Sequence, residues 1–202
     1  MFGFLKKKAT ATSFWDWLTK NTDRIQSSLA RNPQGISEEI GRMFERSFPG
    51  LVWELSPAAQ PPWLFCVSAD GNPDLFPAVI NAVNAAPTMP GWQVQAFRPR
   101  GSLTVEIEMG HRTMGYEDIW CQVQPLAGGV HVTLRIRGLT PELGPMLGPA
   151  ALILLDNAVG EYDAGMKIKR LDQGPLPEAP QRTDSFFPLS ELPPFLDRVP
   201  VA

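Results

Sequence analysis

Residues 63–109 read WLFCVSADGNPDLFPAVINAVNAAPTMPGWQVQAFRPRGSLTVEIEM, and this stretch decides the fold. The nearly continuous apolar run at 63–69 is typical of a strand that is buried on both faces. The next five residues, 70–74, supply a glycine for a tight turn, an asparagine for the helix N-cap, a proline for the first helical position and an aspartate for the positive helix end. These signals predict a strand followed by a helix over 73–86.

Two runs of alternating apolar and polar residues come after that helix, at 92–97 and 103–109, and both predict half-buried strands. The stretch is therefore a strand–helix–strand–strand unit. The same reasoning predicts further strands at 51–55, 119–126 and 130–139, with a short one in 166–171. Glycines at 128 and 129 favour a hairpin between the strands on either side of them.

Helical patterns flank this strand-rich region. Ser13 and Ser37 are good N-caps for two amphipathic helices, which predict an N-terminal helical hairpin over 13–48. Thr140-Pro141-Glu142 opens a further helix over 141–163. The segment 174–202 is dense in proline and has no regular period, so it predicts an extended tail that lies along the domain.

The predicted fold class is α+β, with a mostly antiparallel sheet of about five to six strands over 51–137 and helices packed largely on one face. The predicted organisation is a flexible N-terminus (1–12), a single α+β domain (13–173) and the Pro-rich tail. A chain of 202 residues is long enough for one domain with such appendages.

Charge and hydropathy exclude some classes of protein. The net charge of −3 divides into +3 over 1–50 and −6 over 51–202, so the folded part is acidic and nucleic-acid binding is not expected. No run reaches the ~20 apolar residues of a membrane span, and the N-terminus does not resemble a secretory signal. We therefore expect a cytoplasmic protein. A contact of Phe2, Phe4 and Leu5 with an anionic membrane surface is an alternative for that terminus.

The two cysteines, Cys66 and Cys121, both fall in apolar strand patterns. They are expected to be free core thiols in a reducing compartment, because a disulfide framework needs more cysteines in a small secreted chain. A Cys66–Cys121 bridge remains open if the two strands are neighbours.

The motifs of common enzymes are absent from the sequence: it has no G-x-S-x-G, no P-loop, no G-x-G-x-x-G, no H-E-x-x-H and no paired C-x-x-C. Asp70, at a strand end before a helix, together with Arg98 and Arg100 at the next strand end, could bracket a small ligand. A capped turn and a charged sheet edge explain the same residues.

Cofactors and metals are not expected. Asp156, Glu161 and Asp163 lie on and after the last helix, but helical metal sites combine carboxylates with histidine at a spacing of three or four residues, and no such histidine is present. These acids are expected to be solvated or paired with cations.

Several short motifs together resemble a family of uncharacterised bacterial proteins, a domain of unknown function. They are Ser68-Ala69-Asp70-Gly71, Phe76-Pro77, Ala85-Ala86-Pro87, Gly91-Trp92, Ala96-Phe97-Arg98-Pro99-Arg100, Leu155-Asp156 and Gly160-Glu161. The resemblance spans roughly 13–172 and leaves out the Pro-rich tail. It implies a bacterial source and no particular activity, cofactor or catalytic residue.

Two functions follow as hypotheses. The first is a non-enzymatic bacterial protein that acts by protein–protein contact, in a regulatory, accessory or toxin-neutralising role or as a homodimer, with Trp15, Trp17, Phe186 and Phe187 as partner-binding residues. The second is a small-molecule-binding protein or enzyme that uses Asp70, Arg98 and Arg100. A purely structural module remains if both fail.

Overall fold

The structure, a computed structural model, describes residues 11–200, so most of the predicted flexible N-terminus lies outside the described residues. The chain forms two compact units, of which the first ends at Phe97 and the second begins at Arg98. Both contain helices and strands, which confirms the α+β class.

The first unit contains four helices and three strands within the described residues. The helices are α1 (Ala11–Lys20), α2 (Thr22–Ser28), α3 (Pro33–Ser47) and α4 (Phe76–Asn84), and a 3-10 turn (Pro73–Leu75) precedes α4. The strands are β1 (Val52–Ser56), β2 (Trp63–Ser68) and β3 (Trp92–Ala96). The predicted hairpin 13–48 thus consists of three helices, with a break at Asn21, whose side-chain amide donates to the backbone oxygen of Trp17 at 2.8 Å.

The three strands form one sheet in the order β1-β2-β3. β2 runs antiparallel to β1 and parallel to β3, and α4 makes the crossover that a parallel pair requires. The strand–helix–strand order predicted from 63–97 is therefore present. β1 and β3 are the two edge strands.

The core of this unit is aromatic. Phe65 on the central strand β2 lies with its ring centroid 5.6 Å from those of Phe14 and Trp15 on α1, and 6.0 Å from that of Phe44 on α3. All four side chains are fully or almost fully buried. Buried aromatic rings contribute large apolar areas, and these contacts pack α1 and α3 against the sheet.

The second unit contains three helices and six strands within the described residues. The strands are β4 (Ile107–Met109), β5 (Arg112–Met114), β6 (Ile119–Leu126), β7 (Gly129–Ile136), β8 (Ile168–Pro175) and β9 (Phe186–Pro188). The helices are α5 (Gly144–Val159), α6 (Glu161–Lys167) and α7 (Leu192–Leu196). Gly160, with φ of 78°, separates α5 from α6, where the sequence predicts one helix over 141–163.

β4 and β5 form a small hairpin, and the other strands form a sheet in the order β8-β7-β6-β9. Alternate residues of β6 and β7 face a core that α5 completes. The Pro-rich segment 174–202 contains the end of β8, then β9 and α7, and its Phe187, Leu189 and Leu196 are buried in the same core.

The prediction of one sheet of about five to six strands is wrong, since the sheets of the described residues have three, two and four strands. The residues that follow β3 make hydrogen bonds to α5. Asn157 on α5 donates through its side chain to the backbone oxygen of Ser102 at 2.8 Å, and its own backbone oxygen accepts from Gly101 N–H at 2.8 Å. The helix thus holds this backbone, and of the predicted strand 103–109 only Ile107–Met109 pairs with a neighbouring strand.

Candidate functional site

Asp70 lies in the turn that leads from β2 towards α4. Its backbone adopts a φ of 52° and is followed by Gly71 with a φ of 76°. The Asp70 N–H donates to Ser68 Oγ at 3.0 Å, and the Asp74 N–H donates to Asn72 Oδ1 at 3.1 Å. These are the side-chain bonds of a capped turn, and Asp70 belongs to the first unit.

Arg98 and Arg100 lie together in the second unit, each beside carboxylates. Arg98 Nη1 is 3.0 Å from Asp156 Oδ2, and Arg100 Nη2 is 2.5 Å from Asp163 Oδ2 and 2.6 Å from Asp197 Oδ1. The hydrogen bond from Arg100 holds the pKa of Asp197 below its ordinary value. The hydrogen bonds to Asp197 and, to a smaller extent, Asp163 raise the pKa of Arg100, and partial burial opposes this effect. The arginines join α5, α6 and the residue after α7.

Glu161 and Lys167 complete this charged cluster from α6. Glu161 is 1% exposed and accepts the backbone N–H of Arg98 at 3.1 Å. Lys167 is 7% exposed, with Nζ 3.1 Å from Asp163 and 3.0 Å from the backbone oxygen of Leu196. Buried charges need such partners. Within residues 11–200, no group of three histidine, cysteine or acidic side chains is placed to hold a metal ion.

The four aromatic residues predicted to bind a partner have different environments. Trp15 is fully buried and donates through Nε1–H to the backbone oxygen of Ala82 at 3.0 Å, and Phe187 is 3% exposed. Trp17 and Phe186 are half-buried. Trp15 and Phe187 are therefore core residues of their units, and the predicted role of the four residues in partner binding stays a prediction.

The open edge of β1 is a feature that the sequence reasoning missed. Trp63 N–H donates to Gly91 O and Phe97 N–H donates to Val67 O, so the backbone groups of Trp63 and Val67 point to β3. Because backbone groups alternate in direction along a strand, those of the even-numbered β2 residues point to β1. Their partners in β1 are Val52, Glu54 and Ser56.

Because backbone groups alternate in direction, the N–H and C=O groups of Trp53 and Leu55 point away from β2. No hydrogen bond from residues 11–200 to these four backbone groups is present. They lie along a groove of about 400 Å³ lined by Trp53–Ser56 of β1 and by three residues near the α2–α3 turn, Leu29, Pro33 and Ser37. An unpaired strand edge and a partly apolar wall therefore face the same space.

The groove has a rigid and partly apolar lining. The Trp53 ring stacks on Phe65 with 5.7 Å between centroids and 11° between planes, which ties it to the core. Trp53, Leu55 and Leu29 are all half-buried, whereas Glu54, on the opposite face of β1, is exposed. The sequence does predict the strand at 51–55, but strand order, and hence an open edge, has no local signal.

The comparisons with known proteins identify no relative. A scan against protein-family models finds no matching family, and searches among curated proteins and among solved structures find no match. Among the described residues, no helix is both long and apolar enough to cross a membrane.

Proposed function

We propose that this protein acts by protein–protein contact and not by catalysis, in a regulatory, accessory or toxin-neutralising role, and that β1 is its binding edge. The partner contributes an extended segment that adds as a fourth strand beside β1. The observation that carries the proposal is the backbone of Trp53 and Leu55 at the groove, which has no hydrogen-bond partner among residues 11–200. Strand addition of this kind takes its affinity from backbone hydrogen bonds and its specificity from alternate side chains.

The groove defines the chemistry of the segment. Residues opposite Trp53 and Leu55 would share their face and contact the apolar lining, so they are expected to be apolar. The residue between them would lie on the other face, beside Glu54. The expected pattern is two apolar residues separated by one residue.

A second copy of β1 fits this edge poorly. Antiparallel self-pairing that uses the outward groups of Trp53 and Leu55 from both copies would place Glu54 directly opposite Glu54. Like charges at directly opposed positions destabilise a strand pair. The charge of β1 therefore favours a segment of a different protein over self-association.

The test is a selection of random dodecapeptides displayed on phage against the immobilised full chain, followed by titration of an enriched, fluorescein-labelled peptide. Enrichment of peptides with two apolar residues at alternate positions is expected. Leu55→Pro, which removes one outward N–H, should weaken binding of that peptide at least tenfold. The matched control is Val94→Pro. Because backbone groups alternate in direction along a strand, the Val94 N–H points outward on the opposite edge of the sheet. The Val94→Pro variant should therefore bind the peptide as the wild type does.

Two results would contradict the proposal. One is a selection with no enrichment over the blank surface. The other is a peptide whose affinity is unchanged by both Leu55→Pro and Leu29→Asp, a second variant that adds charge to the groove wall. If Leu55→Pro fails to fold, Leu29→Asp decides the question together with hydrogen exchange of the Trp53 and Leu55 amides, which bound peptide should slow.

The alternative function is a small-molecule-binding protein or enzyme with a polar site at Asp70, Arg98 and Arg100. Within the second unit, an anionic ligand at the two arginines would have to compete with the carboxylates of Asp156, Asp163 and Asp197 for their donors. Retention of labelled small metabolites by the wild type, and their loss in Arg98→Gln, would favour this alternative over the contact function.

A further inference from the structure

A small cavity in the second unit contains two arginines. It lies where β5, the start of β6 and the end of β7 come close to α5, and its volume is about 220 Å³. Its polar lining is formed by Arg112, Thr113, Asp118, Arg137 and Gly138. We call it the Arg112 cavity. Both arginines are exposed, so the cavity is open to molecules in solution.

The acid of this cavity is already bound. Arg137 Nε donates to Asp118 Oδ1 at 3.0 Å, and Gly115 N–H donates to Asp118 Oδ2 at 3.1 Å. Arg137 also donates through Nη2 to the backbone oxygen of Glu117 at 3.4 Å. Its third nitrogen, Nη1, has no acceptor among residues 11–200. Asp118 therefore orients Arg137 and leaves one nitrogen of its guanidinium without an acceptor.

Arg112 is a second cation without an acceptor. No ion pair or hydrogen bond from its side chain to residues 11–200 is present. Alternate residues of a strand share a face, so Arg112 lies on the same face of β5 as Met114, which is 2% exposed and belongs to the core. This pattern places the Arg112 side chain on the side of β5 where the cavity lies.

The charge of the second unit makes such a cavity unusual. The unit carries ten lysine and arginine residues against thirteen acidic ones, and six of the ten form an ion pair within the described residues. Arg198 forms none and lines another cavity, of about 290 Å³, but that cavity has two arginines and the two acids Asp184 and Glu191. The Arg112 cavity has two arginines and one acid, so it favours an anion more than the other cavity does.

We propose that the Arg112 cavity binds the phosphate group of a small molecule. A guanidinium can donate two parallel hydrogen bonds to one phosphate, and a phosphate group presents three oxygens that accept strongly. Arg112 can therefore bind two of these oxygens while Nη1 of Arg137 binds the third. A carboxylate has two oxygens, so the two guanidiniums would have to share one of them.

The cavity also limits the size of the molecule and the strength of binding. Met114 and Leu147, which are 2% and 4% exposed, complete its lining. Pockets for drug-sized ligands have volumes of about 300–1,000 Å³, and this cavity is smaller, so the ligand is a phosphate ester with few further atoms. Because both arginines are exposed, water and salt compete for their donors, and the expected dissociation constant is about 1 mM.

Titration of the ¹⁵N-labelled full chain with glycerol 3-phosphate, followed by ¹H–¹⁵N NMR, tests this proposal. The ionic strength is held constant with sodium chloride, and the ester is added to about 20 mM, well above the expected dissociation constant. The backbone amide signals of Thr113 and Gly138 should shift along a saturable curve. Arg112→Gln should weaken binding at least about fivefold. The matched control is Arg198→Gln, which removes the same charge at the other cavity and should bind the ester as the wild type does.

Amide signals that do not shift, or that shift without saturation, overturn the proposal, and so does equal binding by Arg112→Gln and Arg198→Gln. Sodium acetate is the second probe and should bind more weakly than the ester; equal or tighter binding of acetate would contradict the assignment to phosphate. If Arg112→Gln does not fold, Arg112→Lys decides the question, because lysine keeps the charge but lacks the planar pair of donors. Unchanged affinity in that variant would overturn the proposal. No result of this experiment depends on peptide binding at β1.

Discussion

Proline substitutions at two neighbouring positions of β1 test the backbone directions on which the proposed function rests. Glu54 lies opposite Cys66, whose backbone groups point to β1, so the N–H and C=O of Glu54 point into the sheet. Leu55 lies opposite Phe65, whose backbone groups point to β3, so those of Leu55 point out. Proline removes an N–H, and it is tolerated on an edge strand only where that N–H faces solvent. Glu54→Pro should therefore lower the free energy of unfolding more than Leu55→Pro does, although the two residues are adjacent.

Each proline is compared with alanine at the same position, which removes the side-chain contribution. Glu54→Pro deprives the backbone oxygen of Cys66, a residue that is 2% exposed, of its donor. An unsatisfied buried acceptor costs about 1–3 kcal/mol, so Glu54→Pro should be less stable than Glu54→Ala by that amount. Leu55→Pro breaks no hydrogen bond to β2, so its free energy of unfolding should be within about 0.5 kcal/mol of that of Leu55→Ala.

The assay is urea unfolding followed by tryptophan fluorescence. Five of the six tryptophans lie in the first unit, at positions 15, 17, 53, 63 and 92, so the signal reports mainly on the unit that contains β1. If Leu55→Pro loses as much stability relative to its alanine variant as Glu54→Pro does, then Leu55 N–H points into the sheet and the open edge has been assigned to the wrong residues.

Three further predictions concern the rest of the chain. Arg100 lowers the pKa of Asp197, so their hydrogen bond stabilises the fold at pH values above the ordinary aspartate pKa. This stabilisation is lost as the pH falls through the lowered pKa. Arg100→Gln should therefore reduce the melting temperature at pH 7 and have a much smaller effect at pH 2. Cys66 and Cys121 are buried, and burial raises the pKa of the Cys121 thiol. Neither cysteine should therefore react with a thiol reagent at pH 8 until urea unfolds the chain. Fast labelling of either cysteine in the folded chain would contradict the structure. Trp15→Phe leaves a buried backbone oxygen of α4 without its donor, and it should cost about 1–3 kcal/mol in urea unfolding, whereas the half-buried Trp17→Phe, which removes no such bond, serves as the control.

The candidate small-ligand residues show where sequence reasoning works and where it stops. Local signals place Asp70 in a capped turn and Arg98 and Arg100 after a strand, because caps and turn residues act within a few positions of the chain. The acids that pair with these arginines are 58 to 97 residues away in sequence. Since an ion pair depends on distance in space, no local pattern could have identified Asp156, Asp163 and Asp197 as their partners.

Burial along α5 and the open edge of β1 have the same limitation. The apolar composition of α5 is visible in the sequence, but only packing shows that Ala151 and Leu154 occupy the core side while Leu152 and Ile153 are exposed. The open edge depends on strand order, which places β1 beside β2 and, within the described part of the chain, places no strand on its other side.

The sequence by itself determined the α+β class, the strand–helix–strand order of 63–97 and most element positions, because periodicity, caps and turn residues are local properties of the chain. The tertiary structure decided how many sheets form. Asn157 accepts the backbone N–H of Gly101 and donates through its side chain to the backbone oxygen of Ser102. Each backbone N–H needs one acceptor, and the acceptor that it finds is fixed by packing between distant residues and not by its neighbours in sequence.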